Sequence, residues 1–135
     1  MSHSQFNLRL PRHLAGQCAS GCVFLAFDVG GDTYQRECQL IDLSRFGARI
    51  RLEQSLEIGQ EVRVNIRDAK SEFSTVLAGN IRWSQLDEDG RWSLGILFSE
   101  QVGWETFGEL FLREFISTED QNVHCQSFAL LPAKN

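Results

Sequence analysis

The chain has 135 residues, the size of one ordinary domain and too short for two. With 42% hydrophobic and 23% charged residues, the composition is typical of a soluble globular protein and excludes a disordered one. The net charge of -5 excludes a protein that coats DNA or RNA, because that role needs a broad positive field, whereas a few clustered arginines can still bind a small anion.

The sequence also bears on the compartment. No apolar run reaches the roughly 18 residues of a membrane span, and residues 1–7 lack the order of charged, apolar and small residues found in a signal peptide. Four cysteines are too few for a disulfide scaffold. We therefore expect a cytoplasmic protein with reduced thiols and without membrane insertion.

Most of the chain reads as short strands. Residues 1–16 are polar and partly basic, and we expect them to form a flexible lead-in. From residue 17 onward, apolar and polar residues alternate over short runs separated by turn signals, which predicts half-buried strands. The six predicted strands cover residues 22–27, 34–43, 48–52, 62–67, 74–83 and 92–98. Six strands with short loops predict a closed or nearly closed antiparallel β-barrel, since closure removes exposed sheet edges.

The periodicity changes after residue 98. Large apolar side chains recur there at helical spacing: Trp104, Phe107, Leu110, Phe111, Leu112 and Phe115. This predicts one amphipathic helix over about residues 102–116, whose aromatic stripe packs on the barrel. Residues 17–116 would then form the folded unit. Residues 117–135 would form a C-terminal tail that is irregular or adds one short strand.

The segment from Asp42 to Gly47 carries the most chemical information. Asp42 and Ser44 stand at alternate positions next to a predicted turn, so their side chains point to the same side. A carboxylate beside a hydroxyl can accept hydrogen bonds from a guanine edge. Arg45 adds a positive donor, and Gly47 allows a close backbone approach that a Cβ would block.

Here the chain resembles a known family. The spacing Asp42-x-Ser44-x-x-Gly47 resembles the Asp-x-Ser-x-x-Gly signature of PilZ domains, and the resemblance extends over roughly residues 9–116. It includes Ile81-Arg82-Trp83 and the Gly-x-x-Phe pattern of residues 95–98. The resemblance implies a six-stranded PilZ-like β-barrel with a C-terminal α-helix, an all-β fold that binds cyclic di-GMP.

The family's second motif, Arg-x-x-x-Arg, differs in this chain. In the matching segment two residues separate Arg9 from Arg12, where the family has three between its arginines, and His13 stands where the family has the second arginine. The resemblance implies that these residues contact the phosphates and guanine faces of the ligand, for which the planar charged fork of arginine is suited. The lead-in would become ordered around the ligand and change the surface offered to a partner.

Simpler interpretations stand beside these. Asp42, Ser44 and Gly47 can form an ordinary turn in which side chains cap the backbone. Arg9 and Arg12 can belong to a solvated basic lead-in. The arginines at positions 49, 51, 63 and 67 read as a solvated strand face, or as a face that extends an anion site or docks an acidic partner. Arg36 reads as a strand-end residue that either snorkels to solvent or pairs with a carboxylate.

The cysteines allow a metal hypothesis. Cys18 and Cys22, with His13 nearby and His124-Cys125 near the end, have only loose zinc-like spacing, so buried free thiols are the favoured interpretation. No catalytic motif is present. We expect a non-catalytic cyclic di-GMP receptor that acts through an unidentified effector protein, with no metal and no other cofactor. The alternative is a degenerate PilZ-like module that binds proteins and not the nucleotide. An enzyme acting on a nucleotide is a third class.

Overall fold

Residues 12–120 form one antiparallel sheet with one helix. The structure, a computed structural model, describes residues 12–120. In chain order the elements are β1 (His13–Ala15), β2 (Gly21–Val29), β3 (Asp32–Glu37), β4 (Gln39–Leu43), β5 (Gly47–Leu52), β6 (Glu61–Asp68), β7 (Ser74–Leu86), β8 (Trp92–Phe98), α1 (Trp104–Leu112) and β9 (Ile116–Asp120). The strands are joined in the order β3-β2-β6-β7-β8-β5-β4-β1-β9. The predicted all-β class with a helix near the C-terminal end is confirmed.

The number and arrangement of the strands differ from the prediction. The sheet has nine strands where the pattern predicted six, and it is open, with β3 and β9 at its two ends. The predicted strand 34–43 divides at Cys38 into β3 and β4, which lie in distant parts of the sheet. Alternation of side chains fixes which residues share a face but does not specify a strand's neighbour, so periodicity could not reveal this division.

Two further strands come from segments without a strand pattern. His13–Ala15 pairs with both β4 and β9, although it lies in the predicted lead-in. Ile116–Asp120 occupies the end of the sheet next to it, at the start of the predicted tail. Such short strands are too brief to show periodicity and are held by their neighbours. The remaining predicted tail, residues 121–135, lies outside the described residues.

The inward faces of the strands build a continuous apolar core. It draws on β2, β4, β5, β6, β7 and β8, and α1 adds Phe107 and Leu110 to the same cluster. The largest fully buried side chains include Phe27, Leu25 and Ile50. Burial of this apolar surface is the main favourable term in the folding free energy.

The helix is shorter than predicted, and its C-terminal end is closed by a backbone capping motif. It ends because Glu114 has a positive φ of 66°, with its N–H donating to the Phe111 carbonyl and the Phe115 N–H donating to the Leu110 carbonyl. This is a Schellman motif with a glutamate in the usual glycine position. Trp104, predicted to lie in the aromatic core, is 71% exposed, and Leu112 is exposed as well.

Candidate functional site

Asp42 is a fully buried charged residue on β4. Its cross-strand partners are Arg49 on β5 and Leu14 on β1, so the three residues form one row across the sheet. A register shift between Leu40 and Asp42 marks an irregularity in β4 just before it. A buried carboxylate is costly unless it is paired, because burial removes its hydration.

Two arginines offset the free-energy cost of burying the Asp42 carboxylate. Arg12 Nη1 donates to Asp42 Oδ1 at 3.1 Å. Arg49 Nη2 lies 2.7 Å from Asp42 Oδ2, a close ionic contact without the alignment of a hydrogen bond. The side chains of Arg12 and Arg49 remain 34% and 35% exposed. We call Arg12, Asp42 and Arg49 the Asp42 cluster. It carries two positive charges and one negative charge, and its positive groups are the ones that reach solvent.

Ser44 is used by its own turn. Its hydroxyl accepts hydrogen bonds from the N–H groups of Phe46 and Gly47, at 3.1 and 3.3 Å, and its own N–H donates to the Gly47 carbonyl. The side chain is 3% exposed. In this conformation the structure gives Ser44 the role of a turn former, which was the simpler interpretation of the motif.

Gly47 has a packing role. It faces Leu97 on β8, and a Cβ at this position would stand 2.3 Å from the Ile96 carbonyl oxygen. A glycine is therefore required for β5 and β8 to approach each other. The sequence predicted a close backbone approach at Gly47, and the structure identifies the neighbouring backbone as that of β8.

Arg45 turns toward the helix and not toward Asp42. Its Nε donates to the Val102 carbonyl at 2.7 Å, and its guanidinium lies 3.8 Å from the centroid of the Trp104 ring. The Val102 N–H in turn donates to the Arg45 carbonyl. These contacts attach the motif turn to the start of α1, and the Arg45 guanidinium packs on the ring of the exposed Trp104.

Two predicted site residues remain, His13 and Arg9. His13 packs edge-on against Phe107 and Phe111 of α1, with ring centroids 5.7 and 4.9 Å apart. Its imidazole therefore serves the contact between β1 and the helix, while the adjacent Arg12 reaches Asp42. Arg9 lies outside the described residues.

The row of Asp42 continues to a residue that sequence reasoning did not assign to the site. Gly95 of β8 lies opposite Arg49, and Trp83 of β7 lies opposite Gly95. The indole covers Gly95, since a Cβ there would stand 2.1 Å from Trp83 Nε1. Trp83 is 39% exposed. The face thus presents a partly exposed aromatic ring beside an arginine and a buried acid.

Arg49 was not named among the predicted site residues. The sequence placed it on a solvated face or on an extension of an anion site; in the structure Arg49 pairs with Asp42, and Arg51 pairs with Asp87 at 3.1 Å. The signal was present in the sequence: a hairpin that turns at residues 44–47 places position 49 opposite position 42. Arg36, by contrast, forms no carboxylate pair among the described residues. It donates to the Gln35 carbonyl and lies over Tyr34.

The cysteines form no metal site in the part of the chain that the structure describes. Cys18, Cys22 and Cys38 are free thiols, and residues 12–120 contain no group of three or more potential metal ligands. Burial, reinforced by the negative charge of Glu37, raises the pKa of the Cys38 thiol to about 12. His124 and Cys125 lie outside the described residues. No helix within 12–120 has the length and hydrophobicity needed to cross a bilayer.

Comparison with known proteins agrees with the motif. Residues 23–105, well over half of the chain, match the family model described as PilZ domain. No curated protein matches the chain. A solved structure, that of Bacillus subtilis Inhibitor of motility (MotI/DgrA), is similar with a TM-score of 0.47 and 12% identity, over 93% of this chain and 53% of that one. The chain therefore spans about half the length of that protein.

Proposed function

The chain belongs to the PilZ domain family, and we propose that it is a cyclic di-GMP receptor that acts through a protein partner. The observation that carries the proposal is the Asp42 cluster. The signature aspartate is fully buried between two arginines that remain one-third exposed. A fold needs no such arrangement for stability, because apolar residues of similar volume stabilise a buried site as well or better.

The exposed groups of the cluster fit the chemistry of the ligand. Cyclic di-GMP carries two phosphates and two guanine bases. The forked donors of Arg12 and Arg49 suit phosphate oxygens, which they can bind in pairs. Gly95 lies between Arg49 and Trp83 in the same row of the sheet. The partly exposed ring of Trp83 offers a surface on which a base can stack.

Asp42 acts by exchanging partners. In the structure, Arg12 Nη1 donates to Oδ1 of Asp42, and the carboxylate anchors the Arg12 side chain in return. When a phosphate draws Arg12 away, Oδ1 becomes free to accept from the guanine N1–H or N2–H₂ group, which needs an acceptor. Arg49 keeps its contact with Oδ2 throughout. The exchange avoids leaving a buried charge unpaired in either state.

Isothermal titration with cyclic di-GMP tests this proposal. The wild-type chain should bind, and Arg12→Ala and Asp42→Asn should each weaken binding about tenfold or more, since each removes a charge-assisted hydrogen bond. Arg63→Ala is the matched control. Arg63 is equally exposed and pairs with an aspartate, Asp28, on another part of the sheet. Absence of binding, or equal losses in all three variants, would overturn the proposal.

A second candidate function is a module that binds a protein and not the nucleotide. It is favoured by the engagement of Ser44 and Arg45 in internal contacts and by His13 in the place of a family arginine. A pull-down distinguishes the two functions: a receptor changes its set of bound proteins when cyclic di-GMP is added, and a nucleotide-independent module does not. Neither function alters the nucleotide, so chromatography should recover it intact after incubation.

A further inference from the structure

Strand β3 is an edge strand with an unusual degree of exposure. It is paired on one side by β2, and among residues 12–120 no strand pairs with its other side. All six of its residues are exposed, on both faces. Proteins ordinarily shorten, cover or twist such an edge, because its unpaired N–H and C=O groups attract another strand.

The hydrogen bonds of the hairpin show which groups face outward. The Cys38 N–H donates to the Val23 carbonyl, so these two residues form a hydrogen-bonded pair. Pairs alternate along an antiparallel ladder, so Arg36, Tyr34 and Asp32 also direct their backbone groups toward β2. The N–H and C=O groups of Thr33, Gln35 and Glu37 therefore point away from the sheet. They are the groups that a further strand would bind.

The side chains on one face carry unmatched charges. Asp32, Tyr34 and Arg36 stand at alternate positions and share a face. Neither Asp32 nor Arg36 forms an ion pair with another described residue, whereas most other arginines of the sheet do. Tyr34 stacks on the core residue Phe27, with centroids 5.9 Å apart, and so extends the core surface toward the edge.

We propose that β3 pairs antiparallel with β3 of a second copy of this chain, about a two-fold axis at Tyr34. Backbone alternation allows only registers centred on a residue, because outward groups must meet outward groups. Centring on Tyr34 places Thr33 opposite Gln35 of the partner subunit as a hydrogen-bonded pair. It also places Asp32 opposite Arg36 of the partner subunit, twice by symmetry, with the two tyrosines side by side.

Neighbouring registers lack this charge match. Centring on Gln35 places Asp32 opposite Cys38 of the partner subunit, and centring on Thr33 places Arg36 opposite Gly30 of the partner subunit. In both registers the two charges of this face remain unpaired. A single strand-to-strand contact is small for an interface, so the dimer is a weak and reversible one.

Charge reversal tests the dimer and its register together. Sedimentation velocity over a range of protein concentrations should show reversible dimerisation of the wild-type chain. Asp32→Arg and Arg36→Asp should each weaken it about tenfold, because two attractive pairs become repulsive. The double variant Asp32→Arg, Arg36→Asp should restore the wild-type affinity. Both substituted residues are exposed, and circular dichroism verifies that the three variants fold.

Glu37→Arg is the matched control on the same strand. In the proposed register it faces Gly31 of the partner subunit, so its reversal should leave dimerisation unchanged. A chain that stays monomeric at the highest concentration would overturn the proposal, whether the edge is left bare or is covered by another protein. A dimer that is indifferent to the single reversals would overturn it too, since it would form through another surface.

Discussion

Asp42 and Arg49 stand directly opposite each other on the strands of one hairpin, with Oδ2 and Nη2 2.7 Å apart. The turn formed by Ser44, Phe46 and Gly47 fixes the register of that hairpin. The roles of the motif residues therefore depend on one another. Ser44 and Gly47 build the turn, the turn aligns the two strands, and this alignment places Asp42 opposite Arg49. The main effect of the Asp-x-Ser-x-x-Gly signature is to position the ion pair of Asp42 and Arg49, and Ser44 and Gly47 contribute through the turn.

Replacing Arg49 should remove most nucleotide binding. In Arg49→Ala the site loses a phosphate donor, and Asp42 keeps only Arg12, which then cannot leave the buried carboxylate without cost. We expect the dissociation constant for cyclic di-GMP, measured by titration calorimetry, to rise more than about tenfold. Arg49→Lys keeps the charge without the fork and should recover only part of the loss. Wild-type affinity in Arg49→Ala would contradict this assignment.

Arg45 should behave in the opposite way. Arg45→Ala removes the hydrogen bond to the Val102 carbonyl and the stacking on Trp104. We expect the free energy of unfolding in urea to fall by about 1–2 kcal/mol. The affinity for cyclic di-GMP should stay close to that of the wild type. If binding is lost while stability is retained, Arg45 contacts the ligand after all.

A methyl group at Gly47 should destabilise the sheet. Gly47→Ala brings Cβ to 2.3 Å from a backbone oxygen of β8, and neither strand can give way cheaply. We expect a loss of about 1–3 kcal/mol in the free energy of unfolding. Gly108→Ala is the control, since a Cβ there meets open space on α1 and should stabilise the helix by about 0.5–1 kcal/mol. Similar effects at the two positions would show that the Gly47 contact has no energetic weight.

Stability should depend on pH through Asp68. The Ser20 hydroxyl and then the Lys70 N–H donate to its carboxylate, with smaller effects from Ser71 and Arg113, and they hold the pKa of Asp68 below its usual 3.8. The folded state therefore favours the ionised carboxylate more than the unfolded state does. This contribution is complete above pH 3.8 and disappears as the pH falls through the lower folded value.

The comparison with Asp68→Asn measures this contribution. Denaturant unfolding at several pH values should show the wild-type chain to be more stable than the variant near neutral pH. The difference should shrink below pH 3.8. A difference that does not change with pH would mean that the hydrogen bonds to Asp68 do not depend on its charge.

The sequence contains enough information for the strand faces and the hairpin turns but not for the neighbours of each strand. Alternation located β5, β6 and β8 closely, and the turn between β2 and β3 contains two glycines with positive φ, Gly30 at 61° and Gly31 at 90°. The division at Cys38 was not predictable, because a strand's alternation is the same whichever strand lies beside it. Trp104 fits the helical spacing of the core residues but packs on Arg45 outside the core. Helical spacing could not predict this contact, because Arg45 lies 59 positions earlier in the chain.

The sequence likewise could not predict which residues pair with Asp42. Its carboxylate is covered by Arg12, from a segment without a strand pattern, and by Arg49, from an apparently solvated face. An alternating run predicts where a side chain points but not what charge another segment brings to it. The register of the hairpin connects Asp42 with Arg49, and only the three-dimensional fold adds Arg12.

Mapping cyclic di-GMP binding by NMR tests whether the Asp42 cluster is the nucleotide site. In a titration of the uniformly labelled chain, we expect the largest chemical-shift changes at the Nε–H of Arg12 and Arg49, the backbone of Asp42 and the indole N–H of Trp83. The Arg45 side chain and the strand β3 should change little. If no chemical shift changes at the highest nucleotide concentration, or if the changes are centred away from the Asp42 cluster, the cluster does not bind cyclic di-GMP.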